Sequence, residues 1–198
     1  MIQVPAEAPT GAPGPKSKPV IGVVHRALRA ATRNDHASID RMLLPFDLKK
    51  AEHYGIFLNI HCVALETLRK DWREQDCADF EQMLGRVQAD LRALGYAVNE
   101  PAPSVCMPMS PLHGLGVAYV IRGSRLGAAI LRRGVAIDFP VSYLDFMPAL
   151  SWAEFLPQLE CIAQDPNGTD EAVCASRSTF KIFSTEFGRP NAVCSRSP

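Results

Sequence analysis

The sequence has no surplus of either charge. Lys+Arg and Asp+Glu both number 21, so the 198-residue chain is neutral overall. This disfavours a protein that coats nucleic acid with basic charge and one that ends in an acidic interaction tail. Long apolar runs are missing too. The longest uncharged apolar stretch in the middle of the chain, Leu115 to Ile121, falls far short of the roughly 20 residues that span a bilayer. The first residues carry Lys16 and Lys18 but no apolar run of signal-peptide length, which predicts a cytoplasmic rather than a secreted protein. The 6 cysteines (Cys62, Cys77, Cys106, Cys161, Cys174 and Cys194) are too sparse for a disulfide scaffold and form no C-x-x-C pair. The expectation is a reduced protein without a cysteine zinc site.

What is present is helical periodicity, with almost no strand alternation. Residues 1–19 hold Pro5, Pro9, Pro13, Pro15 and Pro19 and no aromatic residue. They read as a disordered arm, because such a segment buries too little apolar surface to offset its ordering entropy. Residues 188–198 read as a flexible tail. Between them the pattern predicts helices over Val20–Leu44, Lys50–Trp72, Cys77–Leu94, Leu112–Arg133, Ser151–Gln164 and Thr169–Phe187. Gly95 caps the third. A proline-rich loop follows from Gly95 to Pro111, and Asp165-Pro166-Asn167-Gly168 forms a turn. The length and pattern give one all-α domain, residues 20–187, of six to eight helices.

Two segments carry residues suited to chemistry. In the first helix, the α-helical repeat puts Arg29 about 20° and Arg33 about 60° from His36 around the axis. Leu28, Ile39 and Leu43 lie on or beside that stripe. Asp40 follows His36 by one turn, where a carboxylate can hold one imidazole N–H, fix the tautomer and leave the other nitrogen for a metal. The same residues also read as a partly buried histidine satisfied by Asp40, with two solvent-facing arginines. The second segment is AYVIRGSRLGAAILRR, Ala118 to Arg133. Glycine inside a helix costs roughly 0.5–1 kcal/mol relative to alanine. Gly123 and Gly127 nevertheless share a face, with Ser124 and Ala128 beside them. This strip of bare backbone suits either close helix packing or the approach of a flat, bulky ligand. From Pro101 to Ile137 there is no Asp or Glu, but there are four arginines, Arg122, Arg125, Arg132 and Arg133. That concentration of positive charge favours an anionic ligand.

ATRNDHASID, Ala31 to Asp40, resembles the proximal-helix motif of heme oxygenases. AYVIRGSRLGAAIL, Ala118 to Leu131, resembles their distal helix, above all the bacterial form Tyr-Val-x-Glu-Gly-Ser-x-Leu-Gly-(Gly/Ala). The two motifs stand in the family's order, and Phe180 and Phe183 add a looser similarity in the last helix. The resemblance implies a multi-helix fold with heme sandwiched between a proximal and a kinked distal helix. It implies cleavage of heme, both substrate and cofactor, to biliverdin, carbon monoxide and ferrous iron, using O2 and a reductase or ferredoxin-type electron donor. In the bacterial subgroup the biliverdin can pass to a phytochrome. His36 becomes the proximal iron ligand and Asp40 its carboxylate partner. Gly123 and Gly127 become the distal backbone, with Ser124 beside the oxygen site. Arg29 and Arg33, and less directly Arg132, Arg133 and Lys181, become partners of the heme propionates. The chain departs from the bacterial motif at Arg122, where that motif has Glu. It also has Ser124 where many relatives outside the subgroup have Asp.

Other readings compete. His61, in the apolar stripe of the second helix, is either a core histidine or a rival iron ligand. His25, His53 and His113 show no arranged partner. A di-iron carboxylate oxygenase would need Glu-x-x-His pairs, and no histidine here has an acidic residue three positions before it. A protein that binds heme or another tetrapyrrole without turnover, for transfer or sensing, would use the same His36 and glycine strip.

Overall fold

The computed structural model describes residues 22–98 and 109–189. The expected N-terminal arm, most of the expected proline-rich loop and most of the C-terminal tail lie outside these residues. The described residues form one all-α domain of six helices without strands: α1 (Val23–Leu43), α2 (Ala51–Leu68), α3 (Glu74–Ala93), α4 (Pro111–Gly134), α5 (Trp152–Glu160) and α6 (Gly168–Phe187).

The helix ends follow local chemistry. Ser110 caps α4 by accepting the His113 N–H at 3.0 Å, and Pro111 takes the first-turn position that needs no N–H donor. Ser151 and Glu154 close a reciprocal capping box on α5. Gly95, at φ +82°, ends α3 in the left-handed conformation that glycine adopts without strain. The second helix ends before the expected Trp72: after Leu68 the chain tightens into a 3-10 turn, Arg69–Asp71, and Trp72 is extended. The expected fifth helix likewise passes into a 3-10 turn, Cys161–Gln164.

The first turn of α1 has no cap from its own chain neighbour. Glu160, at the end of α5, supplies it, accepting from the Val24 and His25 N–H groups at 3.1 and 2.9 Å. Around the core, α2 is buried on most of its circumference and packs against α3 and α6. Helix α6 lies against α1, α2 and α4. Asp35–Arg177 and His36–Phe180 link α1 to α6, and Ser110–Glu171 and Gly116–Ser176 link α4 to α6. In both sets the residue numbers rise together, so α1, α4 and α6 run in the same general direction. No described helix is long and apolar enough to cross a membrane. The expectation of wholly reduced cysteines fails at Cys77, which is disulfide-bonded.

Candidate functional site

The inward stripe of α1 is Val24, Leu28 and Thr32, all buried and spaced by four. One turn on, the stripe reaches His36, and burial stops: its side chain is 66% exposed. The His36 Nδ1 lies 2.9 Å from Asp40 Oδ2, the contact expected from their spacing. With Nδ1–H donated to the carboxylate, Nε2 holds an unused lone pair. The Phe180 ring of α6 meets the imidazole edge-on at 5.9 Å. Arg29 and Arg33 are exposed on the same helix, as predicted, and neither forms an ion pair among the described residues.

Helix α4 changes character at Arg122. From Gly114 to Arg122 every residue is buried. Gly116 meets α6 so closely that a Cβ there would run into the Ala172 carbonyl. The Ser176 hydroxyl shares its proton between the Gly116 and Ala172 carbonyls, at 2.9 and 2.8 Å. Gly123 is less confined, with only the Trp152 ring at 3.7 Å from an added Cβ, and at Gly127 nothing lies within 4 Å. Helix packing therefore accounts for Gly116 and does not account for Gly127. Ser124 is exposed, and its Oγ donates to the Ile121 carbonyl at 2.7 Å.

The expected field of four arginines around the glycine strip needs correction. Arg122 turns inward. It bonds Asp76 through Nη2 (2.6 Å) and Nε (3.1 Å), Asp79 at 3.0 Å and the Leu150 carbonyl at 2.8 Å. Arg73 binds the other oxygen of Asp76 at 2.5 Å. Two buried arginines thus neutralise two buried aspartates, and the Phe80 and Phe155 rings lie over the Arg122 guanidinium. Arg125 lies over the Tyr143 ring at 4.5 Å and donates to its carbonyl at 2.9 Å. Arg132 pairs with Asp145 at 3.4 Å. Only Arg133 of the four projects without such a contact among the described residues.

Helices α1 and α4 meet through Tyr119, whose hydroxyl hydrogen-bonds Thr32 and whose ring lies 6.0 Å from His25. Trp152 seals this junction, 5.7 Å from His25 and 5.6 Å from Tyr119. Burial raises the Tyr119 pKa, while the Thr32 bond and Arg29 oppose the shift. Gly123 and Gly127 follow Tyr119 at four-residue steps, and His36 follows Thr32 by four. Because the helices run in the same direction, the histidine and the bare glycines lie on the same side of the junction. On α6, Phe180 touches His36 of α1, and Phe183, one turn on, touches His61 of α2 at 5.5 Å.

No family model and no curated protein matches this sequence.

Lys181 is not brought to the His36–Phe180 contact. It lines two surface hollows, of about 460 and 420 Å³, along α6, the first shared with Asp35, Cys174 and Arg177. Neither hollow includes His36, Gly123 or Gly127. His53 and His113, without an arranged partner in the sequence, have partners in the fold: His53 Nδ1 accepts the Asp47 N–H at 3.0 Å, and His113 Nε2 is 3.7 Å from Asp71. Sequence reasoning missed Tyr119, Trp152, Tyr143 and the inward course of Arg122. Of these only Tyr119 left a signal, its four-residue spacing from Gly123.

Proposed function

We propose that the chain binds one heme per monomer between α1 and α4 and cleaves it oxidatively to biliverdin, carbon monoxide and ferrous iron, drawing electrons from a reductase or ferredoxin-type donor. The observation that carries this reading is the His36–Asp40 pair, at the point where α1's inward stripe leaves the core, on the same side of the Tyr119 junction as the unopposed Gly127. Six helices carrying the proximal and distal motifs on α1 and α4 suit a heme-oxygenase-like fold. Among the described residues no three His, Cys, Asp or Glu side chains converge on a metal-sized site. A lone imidazole with a carboxylate partner suits a metal whose remaining ligands come from a macrocycle. This favours heme over a di-iron carboxylate centre.

Bound heme supplies the redox iron that activates oxygen and also the carbon framework that is broken. The chain's own residues do the rest. His36 offers Nε2 to the iron, and Asp40, holding Nδ1–H, fixes the ring's tautomer and orientation and raises its basicity. Phe180, edge-on at 5.9 Å, limits the imidazole's rotation. On the opposite wall, Gly123 and Gly127 leave room that any side chain would fill, so backbone can approach the reacting face. Ser124 is a weak neutral donor, and no carboxylate stands between Pro101 and Ile137, so no strong acid from this segment protonates oxygen early. Arg29 and Arg33 are placed to meet propionates, with Arg133 the freest of the α4 arginines.

Hemin titration into the apoprotein tests the reading. The expected result is a one-to-one complex with a histidine-ligated Soret band. His36→Ala should lose that band, and added imidazole should restore it. Ascorbate or a ferredoxin reductase system should then replace the Soret band with bilin absorption. Uptake without conversion would instead identify a heme-binding or transfer protein. No uptake would overturn both readings.

A further inference from the structure

The two bare glycines of the α4 strip are not equally open. A Cβ at Gly123 would lie 3.7 Å from Cζ3 and Cη2 of Trp152, an ordinary contact, whereas a Cβ at Gly127 would meet nothing within 4 Å. The gap between Gly123 and the indole therefore holds about a methyl group. A flat ring lying between two surfaces needs carbon–carbon separations of about 3.5–4.0 Å on each of its faces, so no macrocycle fits there. Gly123 comes one turn after Tyr119 and Gly127 one turn after that, along one face of α4. The indole closes the strip at its Tyr119 end and leaves the Gly127 end free.

The chain around Trp152 is tied down. The Ala149 N–H donates to Asp79 at 2.9 Å, the Leu150 carbonyl accepts from Arg122 Nη1 at 2.8 Å, and Ser151 caps α5 in its box with Glu154. The fully buried Phe155 ring lies 5.7 Å from the indole, and His25 and Tyr119 lie at 5.7 and 5.6 Å. The other end of α5 reaches the opposite wall, where Glu160 accepts the Val24 and His25 N–H groups of α1. Helix α5 thus sets an indole against α4 with its first residue and holds the start of α1 with its last. Arg122, which stands where the resembled motif has Glu, fixes the backbone two residues before the indole.

Resting on the heme reading above, we propose that Trp152 is a specificity-determining residue, a rigid end wall that fixes the rotational seating of the macrocycle between α1 and α4. With the iron held at His36 Nε2, a flat ligand keeps one freedom, rotation about the iron–nitrogen axis. The rim of a porphyrin is uneven, because methyl, vinyl and propionate groups project from it and the meso positions do not. A wall at one side of the site admits the rotations whose rim clears the indole. It rejects the others by overpacking, which is specificity by exclusion. The accepted rotation then decides which part of the rim lies against the open backbone of Gly127. Arg29 and Arg33 draw the propionates by charge, and the indole adds a steric stop.

The test reads this seating without turnover. The chain has two tryptophans, Trp152 and the fully buried Trp72. In the full chain labelled with 5-fluorotryptophan, the ring current of bound gallium protoporphyrin should move the Trp152 fluorine resonance and leave that of Trp72 in place. Trp152→Phe assigns the two signals. A Trp152 resonance unmoved by bound ligand overturns the proposal and leaves the heme reading intact. In cyanide complexes of the hemin-loaded protein, Trp152→Ala should add a set of heme-methyl proton resonances absent from the wild type, with hemin affinity changed only a few-fold. Trp152→Phe, which keeps a ring, should retain the wild-type pattern. An unchanged methyl pattern in Trp152→Ala would reduce the indole to packing. Should Trp152→Ala fail to fold, the fluorine shift of the wild type decides. Failure of the wild type to take up either porphyrin would overturn the heme reading, and this inference with it.

Discussion

Both halves of α4 carry glycines, and the two halves use them in opposite ways. In the first half, glycine brings backbones together: Gly116 meets α6, whose Ser176 donates to its carbonyl, and Arg122 ties α4 to α3 through Asp76 and Asp79. In the second half, glycine leaves a gap: Gly127 has no neighbour for an added Cβ to meet. The first half is buried throughout from Gly114 to Arg122, and the bare second half continues from it. Small residues at four-residue spacing therefore do not identify a ligand face. What tells the two uses apart is whether another helix occupies the space.

The contrast can be broken most severely at its boundary. Arg122→Leu leaves Asp76 and Asp79 facing a buried apolar side chain, and should cost about 3–5 kcal/mol in a denaturant melt of the apoprotein. A loss below about 1 kcal/mol would show that the network does not anchor α4. Next come the glycines themselves. Gly116→Val should destabilise the apoprotein by about 3 kcal/mol through overpacking against α6. Gly127→Ala should leave it unchanged or gain about 0.5–1 kcal/mol from the removed glycine entropy. Gly127→Val should keep a helical apoprotein but bind hemin poorly or give little bilin per heme. Equal destabilisation at both positions would erase the distinction between the halves.

A subtler effect is pH dependence. The folded-state pKa of His61 is about 4, below its ordinary 6.5, so the unfolded chain takes up this proton first as pH falls. Stability is fully present above pH 6.5 and declines progressively toward pH 4. His25, also lowered by burial and then by Arg29, adds in the same direction. Urea midpoints measured across this range should slope for the wild type and flatten in His61→Phe. The smallest changes belong to the arginines of α1. Arg29→Ala and Arg33→Ala should each weaken hemin binding by ~1 kcal/mol or less, a few-fold in affinity, with turnover at saturating hemin preserved. A large loss of turnover with intact affinity would remove them from the propionate role.

Short-range chemistry made much of this molecule legible in advance. The apolar repeat located the six helices, because a helix needs one buried face and the repeat records it. The four-residue step from His36 to Asp40 sets a contact within a single helix, so sequence spacing alone determined it. The positions of Gly95, Pro111 and Ser151 determined helix ends through backbone geometry and capping. The rest depended on which surfaces meet. Arg122, Arg125 and Arg132 looked like one positive field, yet each found a different partner far along the chain: Asp76 and Asp79, Tyr143, and Asp145. Gly116 and Gly127 are chemically identical, and only the position of α6 separates a contact from a gap. His61 looked like one more residue in a stripe until its ring was set among Phe57, Tyr143, Phe183 and Phe187. The physical reason is range: periodicity, capping and one-turn contacts act over a few residues of sequence, whereas burial, charge pairing and empty space are properties of how helices pack.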